Sequence, residues 1–210
     1  MDKPESTDAN VSDGQLLALH RSGRPGAFEA LVKRRGPEVY RFLFRFLGKR
    51  ALADDVMQET FLKVHLSADR FDVSRRFKPW LFTIAANKAR DALRNLSRKK
   101  AAALDAQIGS GGDEDASYVD LLQADIELPI EKLQNQELRR TVQETVMEMP
   151  EHLREVLILS YFHQMPYKEI AETLDVPLGT VKSRLHAAVG HFARRWESIG
   201  KRFSDHDQKD

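Results

Sequence analysis

The sequence predicts an all-α protein: two small helical domains joined by a flexible acidic linker, the C-terminal one a helix-turn-helix. Three observations carry this expectation. Apolar residues recur at spacings of three, four and seven, the signature of helices with one buried stripe. Runs of alternating β-branched residues, which a sheet would need, are missing. Charge is also sorted along the chain. The 210 residues hold 33 Lys/Arg and 32 Asp/Glu, a net of only +1. Residues 26–100, however, carry 18 cations against 8 anions, and residues 101–136 carry 1 against 8. A basic block, an acidic spacer and a near-neutral block point to two modules with different duties, and a module this basic usually meets a polyanion.

Composition excludes several classes. The sequence contains no cysteine, which removes disulfide staples, thiolate catalysis and Cys-based metal sites. No stretch approaches the roughly 20 apolar residues that span a bilayer. The first residues have neither a basic start nor an apolar run, so a cytoplasmic protein without membrane insertion is expected. At 41% hydrophobic and 31% charged, the chain is built to fold rather than to stay disordered.

The elements follow in order. Residues 1–25 read as a tail leading into the first helix. Phe28, Leu31, Val32, Val39, Phe42, Leu43 and Phe46 form one helical stripe, which Gly36-Pro37 should kink or split. A second helix is expected over Ala51–Leu66, with Val56, Phe61 and Val64 inward. A third should begin near Lys78-Pro79-Trp80, because proline suits a first helical turn, and should bury Leu81, Ile84, Ala85 and Ala92. This basic module ends near residue 100. The spacer 101–136, with Ile108-Gly109-Ser110-Gly111-Gly112 and then Asp113, Glu114 and Asp115, lacks core-forming periodicity and reads as a linker. Beyond it, Glu137–Met147 and Leu153–Phe162 read as helices parted by Pro150. The second module should end near 198, with 199–210 a disordered tail.

The sharpest local pattern lies at 167–185. Tyr167–Leu174 is a short amphipathic helix with Ile170, Ala171 and Leu174 inward. Asp175-Val176-Pro177 breaks it, and Gly179–Leu185 resumes with Val181 and Leu185 toward the shared core. Thr180, Lys182, Ser183, Arg184 and His186 are left on the outer side. Two short helices at an angle, the second basic outside, fit a DNA major groove. A plain helical hairpin with a solvated basic face would share the same spacing.

Two patterns in the first module also suggest binding. Asp55, Gln58 and Glu59 sit at neighbouring helical positions, an acidic face inside a basic block. It is a solvated face or a dock for a basic protein surface; a carboxylate catalytic pair or a magnesium site would need a second ligand-rich segment, which does not accompany it. Downstream, Phe71, Arg75, Arg76, Phe77, Lys78 and Trp80 lead into Thr83, Asn87, Lys88, Arg90, Asp91 and Arg94. Cations, rings and an amide together suit unpaired bases, which need phosphate, stacking and edge contacts. The rings could equally close the core. The histidines are too scattered for a metal site.

Taken together these residues resemble a known family. Tyr167-Lys168-Glu169-Ile170-Ala171-Glu172 through Gly179-Thr180-Val181-Lys182-Ser183-Arg184-Leu185 resembles region four of bacterial sigma factors, closest to the two-domain extracytoplasmic-function (ECF) class. Ala187 stands where that family often carries a second arginine. Asp55-Val56-Met57-Gln58-Glu59 resembles the region-two segment that docks on the clamp of the polymerase β′ subunit. Trp80–Arg94 resembles the minus-ten recognition helix, with Asn87, Asp91 and Arg94 on its polar positions and Phe71 and Arg75 in the loop before it.

The resemblance implies a non-enzymatic initiation factor with no cofactor or metal. Asp55, Gln58 and Glu59 would bind polymerase. Phe71, Arg75, Arg76, Trp80, Asn87, Lys88, Arg90, Asp91 and Arg94 would meet the minus-ten element. Thr180, Lys182, Ser183, Arg184 and His186 would meet the minus-thirty-five element. The implied partners are core RNA polymerase (β′ clamp and β subunit), promoter DNA as duplex and as non-template single strand, and an anti-sigma factor.

Overall fold

A computed structural model describes residues 11–105 and 136–206, which are helical with no strand among them. Residues 106–135 of the expected linker, with Asp113, Glu114 and Asp115, lie outside the described residues.

Helix α1 spans Asp13–Arg21 and was not anticipated as a separate element. It is started by a capping box, in which Gln15 N donates to Ser12 Oγ (3.2 Å) and Ser12 N donates to Gln15 Oε1 (2.8 Å), worth about 1 kcal/mol. Helix α2 runs unbroken over Ala27–Leu47 with Pro37 inside it. The expected split at Gly36-Pro37 does not occur. Lys33 and Pro37 are both exposed, so water can reach the carbonyl that the proline leaves without its helical donor. Gly48 then closes α2 at φ +73°, the left-handed cap that glycine adopts without strain.

Helix α3 covers Arg50–Leu66, and a short 3₁₀ turn at Ala68–Arg70 leads to the loop before α4, Phe77–Asp105. Leu31, Phe42, Leu43, Phe46, Leu81 and Phe82 are fully buried where α2 and α4 meet α3. Each such side chain contributes roughly 1.5–3 kcal/mol.

The second module comprises α5 (Gln136–Met147), α6 (Glu151–Leu157), α7 (Tyr167–Leu174) and α8 (Leu178–His206). The segment Ile158–Phe162 continues α6 as a wide π turn. Helix α8 runs to His206, so residues 199–206 are helical where a disordered tail was expected. Leu153, Val156, Ile158, Leu159, Ile170, Leu174, Val181 and Leu185 are buried and belong to the same apolar cluster as the first module.

The modules therefore pack against each other. Helix α7 lies on α4, while α5, α6 and the π turn reach α2. Arg154, 7% exposed, donates to the carbonyls of Phe46 (2.8 Å), Met147 (2.7 Å) and Met149 (2.8 Å). Gln143 Nε2 donates to Arg45 O at 3.2 Å. Two C-terminal carbonyls of α2, the negative end of its dipole, thus take their donors from the second module.

Candidate nucleic-acid interface

The acidic face of α3 is built by helical phase. Ala53, Val56 and Thr60 turn inward, and Asp55, Gln58 and Glu59 are left exposed. Leu62 and Leu66, 58% and 69% exposed, continue that side of the helix. Glu59 Oε2 accepts from Lys88 Nζ of α4 at 3.0 Å. This surface is open in the closed packing.

The loop before α4 is shaped by Asp72, whose Oδ1 accepts from Ser74 N (2.9 Å) and Ser74 Oγ (2.7 Å). Those two bonds, helped by Arg75, hold the Asp72 carboxyl below its ordinary range. The turn leaves Arg75 and Arg76 exposed. Phe71 was expected to serve opened DNA from this loop, and the structure corrects that expectation. Its ring is 4% exposed, 5.6 Å from Phe77 and 4.8 Å from Trp80. A ring enclosed on both sides anchors the loop and has no face left for a base. Trp80 is half-buried on the same cluster.

Along α4, Asn87, Asp91 and Arg94 are exposed, and Lys88 and Arg90 are half-buried. Arg90 Nη2 donates to Asn87 Oδ1 at 2.6 Å, and Arg94 Nη2 donates to Asp91 Oδ1 at 2.5 Å. The structure brings the polar positions of this helix onto neighbouring turns of one surface, with their cations oriented by local acceptors.

In the second module α7 ends at Asp175 with φ +53°, and Thr180 N donates to Pro177 O at 2.9 Å as α8 begins. Lys182, Ser183 and His186 are exposed, and Thr180 is half-buried. Arg184 is half-buried, like Thr180. Expected outside, its side chain is only 26% exposed and turns back to Glu155, with Nη1 3.4 Å from Oε1. Helical phase alone places it on the outer side with Thr180, Lys182, Ser183 and His186. A carboxylate 29 residues away in α6 draws it inward.

Glu155 is the residue that sequence reasoning missed. It is 2% exposed, and its Oε2 lies 3.8 Å from Arg90 Nε of the other module, with no hydrogen-bond donor among the described residues. Burial pushes this carboxyl up, and Arg90 and Arg184 oppose the rise without cancelling it. Nearby, Arg76 Nη1 donates to Glu169 Oε1 of α7, and Thr173 Oγ1 is 3.5 Å from Pro79 O.

A second cross-module cluster surrounds Glu38. It contacts Lys78 Nζ at 2.5 Å, Arg35 Nη1 at 3.0 Å and His163 Nδ1 at 3.7 Å. Burial alone would raise the Glu38 carboxyl, but His163 and Lys78 outweigh it and hold it well below the usual range. Burial pushes the His163 imidazole down, so it is neutral near pH 7. An apolar groove of about 330 Å3 also lies in the second module, lined by Val142, Val146, Leu157, Phe162, Val189 and Phe192 among others. Among the described residues no three metal-ligating side chains gather, and no helix is long and apolar enough to cross a membrane.

Comparison with known proteins matches the chain module by module. The sigma-70 region 2 pattern matches residues 31–99, and the sigma-70 region 4 pattern matches 139–192. The chain is 33% identical over 166 residues to the ECF RNA polymerase sigma factor SigW of Bacillus subtilis, covering 79% of this chain and 87% of that one. It is 35% identical over 167 residues to the RNA polymerase sigma factor CarQ of Myxococcus xanthus, covering 79% and 87%. Among solved structures, CnrH bound to the cytosolic domain of CnrY superposes with a TM-score of 0.64 at 26% identity, covering 89% of this chain and 97% of that one. The chain thus belongs to the ECF class of the sigma-70 family, the factors that bind core RNA polymerase, recognise promoter DNA and promote transcription initiation.

Proposed function

We propose that the chain divides initiation between its two modules, residue by residue. The exposed Asp55, Gln58 and Glu59 dock on the clamp of the polymerase β′ subunit. The apolar groove of the second module takes the β subunit, in competition with an anti-sigma factor. Arg75, Arg76, Trp80, Asn87, Lys88, Arg90, Asp91 and Arg94 serve the minus-ten element and its non-template strand. Thr180, Lys182, Ser183 and His186 serve the minus-thirty-five duplex, with Arg184 positioned from behind by Glu155. The factor is cytoplasmic and carries no catalytic centre; polymerisation belongs to the core enzyme.

The observation that most supports this division is the contrast on α3 and α4. One helix presents exposed acid for a basic protein surface, and its neighbour presents cations and an amide for a polyanion. Promoter melting then draws on binding energy, since capturing an unstacked base offsets the few kcal/mol that extrusion costs. In-vitro transcription with purified core polymerase and a pool of promoters tests the reading. Promoter-dependent transcripts that weaken with Asn87→Ala more on duplex than on premelted templates are expected. Equal losses on both templates would remove the minus-ten assignment.

A further inference from the structure

The closed packing places carboxylates of one module on DNA-facing cations of the other. Glu169 of α7, only 8% exposed, accepts from Arg76 in the loop before α4. Glu155 of α6 stands between Arg90 of α4 and Arg184 of α8. Cations assigned to the minus-ten element and to the recognition helix therefore share one buried carboxylate. Around these pairs, Thr173 approaches Pro79 O at the start of α4, so the C-terminal module lies along the loop and the first half of that helix.

Two features make this contact releasable. Glu155 is nearly inaccessible, yet its cationic partners lie at 3.4 and 3.8 Å and, among the described residues, one of its oxygens lacks a donor. A carboxylate so poorly compensated gains by returning to water. Arg76 is the opposite case. Its side chain is 69% exposed beside a Glu169 side chain that is 10% exposed, so a phosphate can approach it from solvent without first parting the modules.

We propose that this packing is an electrostatic latch, in which Glu155 and Glu169 occupy the places of promoter phosphates and hold the free chain closed until a polyanion displaces them. Backbone phosphates offer the same cations a stronger partner. DNA that captures Arg76 first would then draw Arg90 away from Glu155 and let α7 leave α4. The latch rests on the reading that Arg76 and Arg90 face DNA, and it adds that the chain inhibits itself without an anti-sigma factor.

The absence of cysteine makes the test clean. Lys33→Cys and Glu172→Cys, both at exposed positions of different modules, carry a donor–acceptor dye pair on the otherwise unaltered full chain. Energy transfer is read with and without a 30-bp duplex and an oligo-dT strand, across a salt series. High transfer that falls on adding either nucleic acid, and on raising salt, is expected. Glu169→Gln, which keeps shape and removes charge, should lower transfer in the free chain. It should also tighten DNA binding by about tenfold, the scale expected for freeing one or two phosphate-binding cations.

Thermal melting checks that Glu169→Gln still folds. The exchange Arg76→Glu with Glu169→Arg should restore high transfer and make it resistant to DNA. Unchanged transfer and DNA affinity in Glu169→Gln would overturn the latch. So would low transfer in the unmodified chain at low salt. Promoter-dependent transcription with core polymerase, run on the same proteins, is scored separately. Its presence alongside unchanged transfer removes the latch and leaves the initiation function standing, whereas its absence alongside a working latch removes the function.

Discussion

The two modules carry their functional residues in different ways. In the N-terminal module the α3 face stands free of the second module, with Asp55, Gln58 and Glu59 exposed over a core closed by α2, α3 and α4. The C-terminal module leans on its neighbour. Arg154 completes the end of α2, and Glu155 and Glu169 engage cations of α4 and its loop. One surface is therefore ready in the closed chain, while the DNA-facing surface is partly taken. On the proposed assignment the difference implies an order of events: polymerase would engage α3 before the modules part, and DNA would engage α4 as they part.

The largest effect should come from breaking the ready surface. Gln58→Ala with Glu59→Lys puts a cation against a basic partner and should weaken core binding by more than about tenfold, or roughly 1.4 kcal/mol. Its helical circular dichroism should stay unchanged, because both side chains are exposed. Affinity equal to the unmodified chain would remove α3 as the dock.

Within the second module, Lys182→Ala and Arg184→Ala should separate contact from support. Lys182 is exposed, so its loss should weaken all DNA sequences alike and reduce the salt slope by about 1, with little change in melting. Arg184 compensates a buried carboxylate, so its removal should cost roughly 1–3 kcal/mol of stability as well as DNA affinity. Equal melting temperatures for the two variants would mean that Glu155 does not depend on Arg184.

Gly48→Ala examines the seam between modules. Its φ is +73°, and an added Cβ would fall 2.5 Å from Met147 Cε and 3.0 Å from its Sδ, so the end of that side chain must move. About 1 kcal/mol of destabilisation is expected from backbone strain, with energy transfer between the modules reduced. An unaltered melt would show that the end of α2 adapts freely.

The smallest effect concerns pH. His163 faces Glu38 and Arg45 of α2 and Lys78 of α4, and burial lowers its proton affinity from an ordinary value of 6.5. The closed, folded state therefore binds that proton less readily than the unfolded chain. Its contribution is fully present above about pH 6.5 and is lost as pH falls. Glu155, raised by burial from its ordinary 4.5, works in the opposite direction. The comparison with His163→Gln isolates the histidine: the melting temperature of the unmodified chain should drop more steeply from pH 7 to 6 than that of the variant. Parallel slopes would exclude it.

Much of this architecture was legible along the chain. Periodicity places α2, α3 and the start of α4, and the break at Asp175-Val176-Pro177 places the turn between α7 and α8, because these follow from local stereochemistry. The capping box that starts α1 is also written locally, as Ser12 and Gln15 three residues apart. What escaped is long-range. Pro37 sits inside a continuous helix because its neighbours on that side meet solvent. Phe71 is core because Phe77 and Trp80 fold over it. Arg184 turns inward because Glu155 approaches from another helix, and Glu155 finds Arg90 only once the modules pack. No spacing rule encodes a partner set by docking.

The most direct measurement uses a chain locked shut. Arg76→Cys and Glu169→Cys, bridged by a short bismaleimide, hold α7 on the loop before α4, with the unbridged double variant as reference. The bridged chain should bind the coiled-coil clamp segment of the polymerase β′ subunit as tightly as the reference and should open no promoter with core enzyme. Loss of clamp binding on bridging, or promoter opening by the bridged chain, would contradict the separation of a ready polymerase face from a latched DNA face.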